Sequence, residues 1–437
     1  MSGHKLPSLL LKRRSRIEQE ALKKLRYICS YAYRRSRFYH RLWKSELGGA
    51  PRIRSLEDLS KLPTVDHRAL IGANAYEVLA CPKEKIVYTF FSGGTTGKPK
   101  MMFFTKGDWE AWTWYKARCN MIRGMTGDDV VQIMLPFGTW VAGFSELDAC
   151  IRLGATVIPT GVWRGGLSYA MEVMYEMGVT VLATTPSLAL MTGEAMSKKY
   201  DGPPPSLRIV ATAGEDIPDG LRKRLHELFD AEVASLYAAS EAVIGAECEV
   251  HDGYHYLADD LIIEVLGEDD EPLSEDEIGE IAITKLYGEA TPIIRYKLGD
   301  VVKISKEKCS CGLEYPRVWF IGRTSSFVIT SGVNVFSYQI NEALKSLSFP
   351  VYKYQVILRE EEPGRDVIIF RLETEDRDSS KAEEALRVLS RMSIDLEDAV
   401  FHGFVKLKVE LVPPGSLSVR RRTGKAPLFI DMRRFPR

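Results

Sequence analysis

Short apolar runs recur along the chain at spacings that separate two kinds of element. Val130-Val131-Gln132-Ile133-Met134-Leu135 is almost wholly apolar and too short for a buried helix, which predicts an interior strand. Thr156–Ile158, Val179–Ala183, Leu207–Ala211 and Val233–Leu236 read the same way. Between them, the segments Leu167–Met177 and Leu221–Phe229 place apolar residues three and four apart, as in a helix with one buried face. That alternation predicts parallel strands covered by helices.

After about residue 255 the rhythm becomes strand–turn–strand, over Leu261–Leu266, Glu280–Lys285 and Asp300–Ile304. From residue 323 a separate block begins. It has a helix over Gln339–Ser346, strands over Lys353–Arg359, Val367–Glu373 and Val405–Val412, and a helix carrying Ala382, Ala385, Leu386, Leu389 and Met392 on one face. The expected fold is α/β. A large N-terminal domain of parallel-rich sheets, 1–322, includes a β-rich subdomain at about 255–322. A small mobile α+β domain follows at 323–437.

Composition narrows the class. A chain of 437 residues with 45% hydrophobic and 27% charged residues suits a globular protein of two or three domains. Fifty-nine basic and 59 acidic residues cancel, which removes the electrostatic case for nucleic acid or an acidic membrane. No apolar run approaches the roughly 18 residues of a membrane helix, and the start is no secretory signal. Seven cysteines, single except near 309–311, suit a reducing cytoplasm. The basic stretch 12–38, with Tyr27, Tyr31, Tyr33, Phe38 and Tyr39 interleaved, reads as an amphipathic helix whose cations face solvent.

The densest chemistry lies at 88–101. Apolar residues lead into Ser92-Gly93-Gly94-Thr95-Thr96-Gly97-Lys98, followed by Pro99 and Lys100. Glycines let the backbone turn its N–H groups onto an anion, and hydroxyls and lysines add donors and charge. A polyphosphate cradle fits this pattern. It is not a Walker A loop, because Ser92 and Pro99 stand where that loop needs glycine and a hydroxyl. A glycine-rich hairpin turn is the alternative. Tyr237-Ala238-Ala239-Ser240-Glu241 follows a predicted strand, where a carboxylate can hold magnesium through an oxygen. Asp300, placed after a glycine turn at Gly299, offers an acceptor for ribose hydroxyls, with a β-turn carrying a solvated aspartate as the other reading, and Arg323 is a phosphate or ribose partner. Cys248, His255, Cys309 and Cys311 would make a closed tetrahedral zinc site, with His251 as a competing imidazole. The Cys-x-Cys spacing is shorter than usual, so thiols without metal stay open as the other reading.

In this order the motifs resemble those of the adenylate-forming (acyl-CoA synthetase) superfamily. Gly332-Val333-Asn334-Val335-Phe336-Ser337-Tyr338-Gln339-Ile340 and Gly424-Lys425-Ala426 resemble its phenylacetate–CoA ligase branch, with Ser337 in place of proline. The resemblance implies that residues 92–98 bind the β- and γ-phosphates of ATP and that Ala213-Gly214-Glu215 and Tyr237 contact adenine. It implies Glu241 on Mg²⁺ and Asp300 on ribose. Lys425 becomes the adenylation lysine, and Arg323 opens the hinge of the small domain. Ser325 and Ser326 stand where the family has two acids, which puts the hinge kinetics in question. Phe137, Gly138, Trp140 and Phe144 fall in the acyl-pocket segment; the aromatic residues suit an aromatic ring, with core packing as the equal reading. Some members of the branch carry a similar Cys…His…Cys-x-Cys set.

The implied activity is ATP-dependent ligation of a carboxylic acid, such as phenylacetate, to coenzyme A through an acyl-adenylate. A homodimer stays open. The alternatives are an adenylating enzyme that does not use CoA, like the deazaflavin coenzyme synthetases, and a non-catalytic nucleotide-binding homologue.

Overall fold

The computed structural model describes residues 6–66, 69, 75–91, 101–161, 166–267, 269–323, 327–330, 333–362, 365–403, 405–417 and 428–432. The chain forms two compact units. One comprises Met1–Gly161 and Ala234–Phe320, the other Val162–Val233 and Ile321–Arg437. Among the described residues, no helix is long and apolar enough to cross a membrane.

In the first unit the helix Arg14–Arg35 buries Ile17, Ala21, Leu25, Ile28 and Ala32, a spacing of three and four. Its cations do not all face solvent as expected. Lys12, just before the helix, sits 2.6 Å from Asp259, and Lys24 sits 2.5 Å from Asp260. Arg118 reaches Asp259 at 3.1 Å. The acidic pair thus draws part of the basic stretch onto the unit, leaving residues such as Arg16 in water.

Strands Leu261–Leu266, Gly279–Lys285 and Tyr296–Ser305 form an antiparallel run, as the strand–turn–strand rhythm predicts. Alternate residues Leu261, Ile263 and Val265 are buried. The short strand Tyr254–His255 pairs with both Arg317–Arg323 and Val243–Glu247. Val243–Glu247 in turn pairs antiparallel with Glu232–Ala238. Val130–Ile133 lies parallel to Thr156–Ile158, and the helix Val141–Leu153 spans the connection. The first of these strands ends two residues earlier than its apolar run, because Pro136 cannot donate to a ladder and restricts Leu135 before it.

Asp300 lies on a bulge rather than beyond a turn. The strand Tyr296–Ser305 runs straight through it, and Leu298, Gly299 and Asp300 together stand opposite Ile281. Gly299 takes φ of 77°, a left-handed value that a bulge favours and that glycine adopts without strain. Arg295, with φ of 46°, is held in the same region by its side chain. Its guanidinium binds Glu264 at 3.1 Å and the carbonyls of Ser60, Leu62 and Asp270.

The second unit contains the parallel pair Val181–Thr184 and Ile209–Ala213 with the helices Pro186–Lys199 and Asp219–Phe229. Its C-terminal part is a four-stranded sheet. Arg365–Glu373 lies between antiparallel Lys353–Glu362 and parallel Val405–Val412, and Phe429–Asp431 adds to Lys353–Glu362. Val356, Leu358, Ile368, Phe370 and Leu372 pack against Ala385, Leu389 and Leu396 of the covering helices. The mixed α/β class expected from the sequence is the one found.

The helix Lys106–Ile122 is buried on most of its circumference, and its buried cations pair with acids of the interior. Lys116 Nζ lies 2.8 Å from Glu146, and Arg123 lies 3.2 Å from the same carboxylate. Asn120 donates to Glu146 at 3.0 Å. Burial opposes the charged carboxylate, but Lys116 and Arg123 outweigh it and hold its pKa down to about 2. A depressed carboxylate pKa contributes stability above the unfolded value, about 4.5, that is lost as pH falls towards 2. We therefore expect Glu146→Leu, which strands two buried cations, to cost about 3–5 kcal/mol at pH 7 in urea unfolding. The exposed Glu110→Gln should change stability by less than about 0.5 kcal/mol. A loss below about 1 kcal/mol for Glu146→Leu would show that the network is solvated.

Candidate nucleotide site and metal cluster

The glycine-rich segment spans the ends of a hairpin. Ile86–Phe91 pairs antiparallel with Met101–Thr105, and Phe91 and Met101 are register partners. Both readings of the sequence therefore meet here, since the segment joins two hairpin strands yet is far longer than a tight turn needs. Ser92, Gly93, Gly94, Thr95, Thr96, Gly97 and Lys98 themselves lie outside the described residues, as do Lys425, Ser325 and Ser326.

The second hairpin strand is moored by Asp108. Thr105 caps the helix Lys106–Ile122, its Oγ1 accepting from Asp108 N while Asp108 accepts from Thr105 N. The same carboxylate accepts the N–H groups of Glu289 and Ala290. Thr291 adds a hydroxyl contact to Phe103, whose N–H it accepts at 3.2 Å. Sequence reading passed over Asp108, although the Thr-x-x-Asp spacing is a capping-box signal.

Beside the first strand lies the expected acyl-pocket segment. Phe91 donates its N–H to the carbonyl of Thr139 at 2.8 Å. Phe137 and Phe144 meet edge to face with centroids 5.2 Å apart, and Phe90 lies 5.8 Å from Phe144. Phe137, Trp140 and Phe144 are half-buried, and Gly138 is exposed. Gly143 has a packing reason: a Cβ there would stand 2.8 Å from Pro136 O and 3.0 Å from the Phe137 ring.

Tyr237, Glu241 and Asp300 belong to the first unit. Ala238, Ala239 and Ser240 carry the chain from strand to loop, where Ala239 N donates to Ala242 O at 2.8 Å. Glu241 is buried at 7% exposure and Asp300 at 1%. The structure joins two of the predicted residues directly: the Tyr237 phenol donates to Asp300 Oδ2. Ala213, Gly214 and Glu215 belong to the second unit, as does Arg323, which is exposed. Glu215 is already engaged there. It accepts from Ser187 N at 3.2 Å and Ser187 Oγ at 2.5 Å, and it pairs with Lys353.

Lys285 had no sequence signal. It is buried among Phe104, Trp112 and Tyr287, its Nζ 5.4–6.0 Å from their ring centroids. Burial brings its pKa down to about 8, with Asp108 opposing the shift.

Cys248, His255, Cys309 and Cys311 converge, their ligand atoms all within 4.8 Å of one another, and can hold a metal ion. Cys248 Sγ is 3.8 Å from Cys309 Sγ, and Cys311 Sγ is 3.4 Å from His255 Nε2. His255 is fully buried and directs Nδ1 to the carbonyl of Tyr315 at 2.9 Å, which fixes the tautomer that presents Nε2. The competing His251 instead faces Glu247 at 3.6 Å. A hydrogen bond from Cys248 outweighs burial and holds the Cys311 thiol below its ordinary range.

This fold and its motif order define an adenylate-forming enzyme. The chain belongs to the AMP-binding enzyme family, which it matches over residues 42–286, and residues 332–433 match the AMP-binding enzyme C-terminal domain. It is 29% identical to the phenylacetate-coenzyme A ligase of Thermus thermophilus, with 96% of each chain covered. It is 27% identical to that of Escherichia coli over 76% of this chain and 77% of the other. Among solved structures, 2-hydroxyisobutyryl-CoA ligase with 2-HIB-AMP superposes with a TM-score of 0.78. The two are 23% identical, with 96% of this chain and 90% of that one covered. The resemblance read from the motifs is thus shown, and its phenylacetate–CoA ligase branch with it.

Proposed function

We propose that the chain is an ATP-dependent carboxylic acid–CoA ligase working through an acyl-adenylate, with an aromatic acid as its substrate. One observation carries this reading: both AMP-binding family segments match in order, within an alignment to a phenylacetate-coenzyme A ligase that covers nearly all of both chains. The half-buried rings of Phe137 and Phe144, packed edge to face in the expected acyl-pocket segment, support an arene as the acyl group.

The acid's carboxylate oxygen forms a bond to the α-phosphorus as the bond to pyrophosphate breaks. The CoA sulfur then attacks the acyl carbon, AMP leaves with the bonding pair, and the thiol proton passes to solvent or base. Charge gathers on phosphate oxygens in the first step, so its stabilisation is mainly electrostatic. Glu241 would hold Mg²⁺, which neutralises phosphate charge when bound. Asp300 would accept the ribose hydroxyls, Tyr237 and Ala213-Gly214-Glu215 would border the adenine, and residues 92–98 would donate to the β- and γ-phosphates. Lys425 would contact the α-phosphate during adenylation. Two half-steps at one site then require residues 323–437 to turn as a lid about Arg323 and the residues after it.

The four-ligand cluster fits zinc. Metal–sulfur bonds of about 2.3 Å at tetrahedral angles separate sulfurs by about 3.8 Å, the spacing of Cys248 and Cys309. With three thiols and an imidazole whose other nitrogen is spoken for, the site is closed and structural. It would clamp the turn before Arg317–Arg323 to the strand Tyr254–His255.

MgATP incubated with pooled aryl, arylacetic and aliphatic acids should give a thioester only with CoA present, read by mass spectrometry. An adenylate that accumulates whether or not CoA is present would favour a CoA-independent adenylating enzyme. Lys425→Ala should slow adenylation about 10²–10³-fold while sparing thioester formation from preformed acyl-AMP. Equal loss of both half-reactions would remove the assigned role.

Protein purified without chelator should carry about one zinc per chain by plasma mass spectrometry. Cys309→Ala should lose it and melt lower. Metal-free wild type that melts unchanged after zinc is added would sink the structural site.

A further inference from the structure

We propose that the Tyr237 hydroxyl is the positioning group that holds Asp300 for recognition of the nucleotide ribose. This rests on the reading of Asp300 as the ribose acceptor. Tyr237 lies near the end of its strand, and its phenol reaches Oδ2 of an acid 63 positions further along the chain. The ring is held by protein: Tyr254 lies 5.8 Å away and Phe320 5.6 Å away, centroid to centroid. The phenol is therefore presented from a fixed direction.

Asp300 needs such a partner. It stands on a three-residue bulge after a left-handed glycine, where the ladder does not dictate side-chain direction. Asp300 is 1% exposed, and a carboxylate that is to accept from both hydroxyls of a ribose must hold its plane within tens of degrees. Donation to Oδ2 fixes that plane from one side, in the orientation the sugar would meet. The tyrosine thus acts through Asp300, and its signature is discrimination between sugars rather than affinity in general.

The test is calorimetric binding of ATP, 2′-deoxy-ATP and 3′-deoxy-ATP to the full chain, with neither acid nor CoA. Wild type should prefer ATP over each deoxy analogue at least tenfold. Tyr237→Phe, which keeps the ring, should shrink that preference at least threefold. Asp300→Asn should abolish it, and the double variant should match Asp300→Asn, because the phenol acts only through the acid. Phe320→Leu, which loosens the ring packing and leaves the phenol, should weaken all three nucleotides alike. The inference is overturned if Tyr237→Phe weakens all three equally or changes nothing, or if Phe320→Leu erodes the preference as much. Wild type that binds ATP without preferring ribose overturns it alone. Failure to bind ATP at all removes the nucleotide reading as well. Absence of ligation, with ribose preference intact, leaves it standing.

Discussion

The buried carboxylate of Asp108 is the constraint on which the geometry of the first unit most depends. It closes the cap on the helix Lys106–Ile122, and so fixes where the hairpin strand Met101–Thr105 ends. Its remaining capacity takes two consecutive backbone N–H groups, Glu289 and Ala290, just before the strand that carries Asp300. One side chain therefore sets the spacing between the exit of the glycine-rich segment and the entry to the bulged strand. A carboxylate suits this task, because it offers about four lone-pair sites and draws strong hydrogen bonds from N–H groups that would otherwise be buried without partners. Neither asparagine nor alanine could serve all three segments.

A second chain of contacts runs beside the strand Tyr254–His255. The Tyr315 carbonyl orients His255, and the Tyr315 hydroxyl donates to Asp259 at 3.3 Å. Asp259 is the acid that also holds Lys12 and Arg118. The cysteine–histidine cluster is thus continuous, through one tyrosine, with the ion pairs that fasten the N-terminal helix. Such continuity means that a metal bound there would brace several segments at once, and its binding would add to the folding free energy.

Strands were legible wherever a run of apolar or alternating residues met a clear stop, and Thr156–Ile158, Leu261–Leu266 and Val405–Val412 match residue for residue. The cysteine–histidine set was legible because few residue types serve as ligands. What escaped were pairings between segments distant in sequence. The bond from Tyr237 to Asp300, the hold of Asp259 and Asp260 on Lys12 and Lys24, and the triple duty of Asp108 are fixed by tertiary packing, which no local period encodes. Arg295 is the sharpest case. Nothing in its own sequence signals a left-handed backbone, and the conformation stands because Glu264 and three carbonyls hold its guanidinium.

The same reasoning constrains any movement of the C-terminal block. Within the second unit, Lys353 is paired to Glu215 with both side chains about a tenth exposed. Arg224 bridges Glu194 at 2.8 Å and Glu375 at 2.9 Å. Gly220 meets that block so closely that a Cβ would stand 3.1 Å from Pro350. The lid proposed above would have to exchange these contacts for others of similar strength, because separating a buried pair leaves two poorly solvated charges. Arg224 can retain Glu194 when Glu375 departs, since both it and Glu194 belong to the segment 162–233. Glu215 can retain Ser187, which donates both N–H and hydroxyl to it. Each static partner therefore keeps a hydrogen-bonded neighbour after the block leaves, and this lowers the cost of leaving.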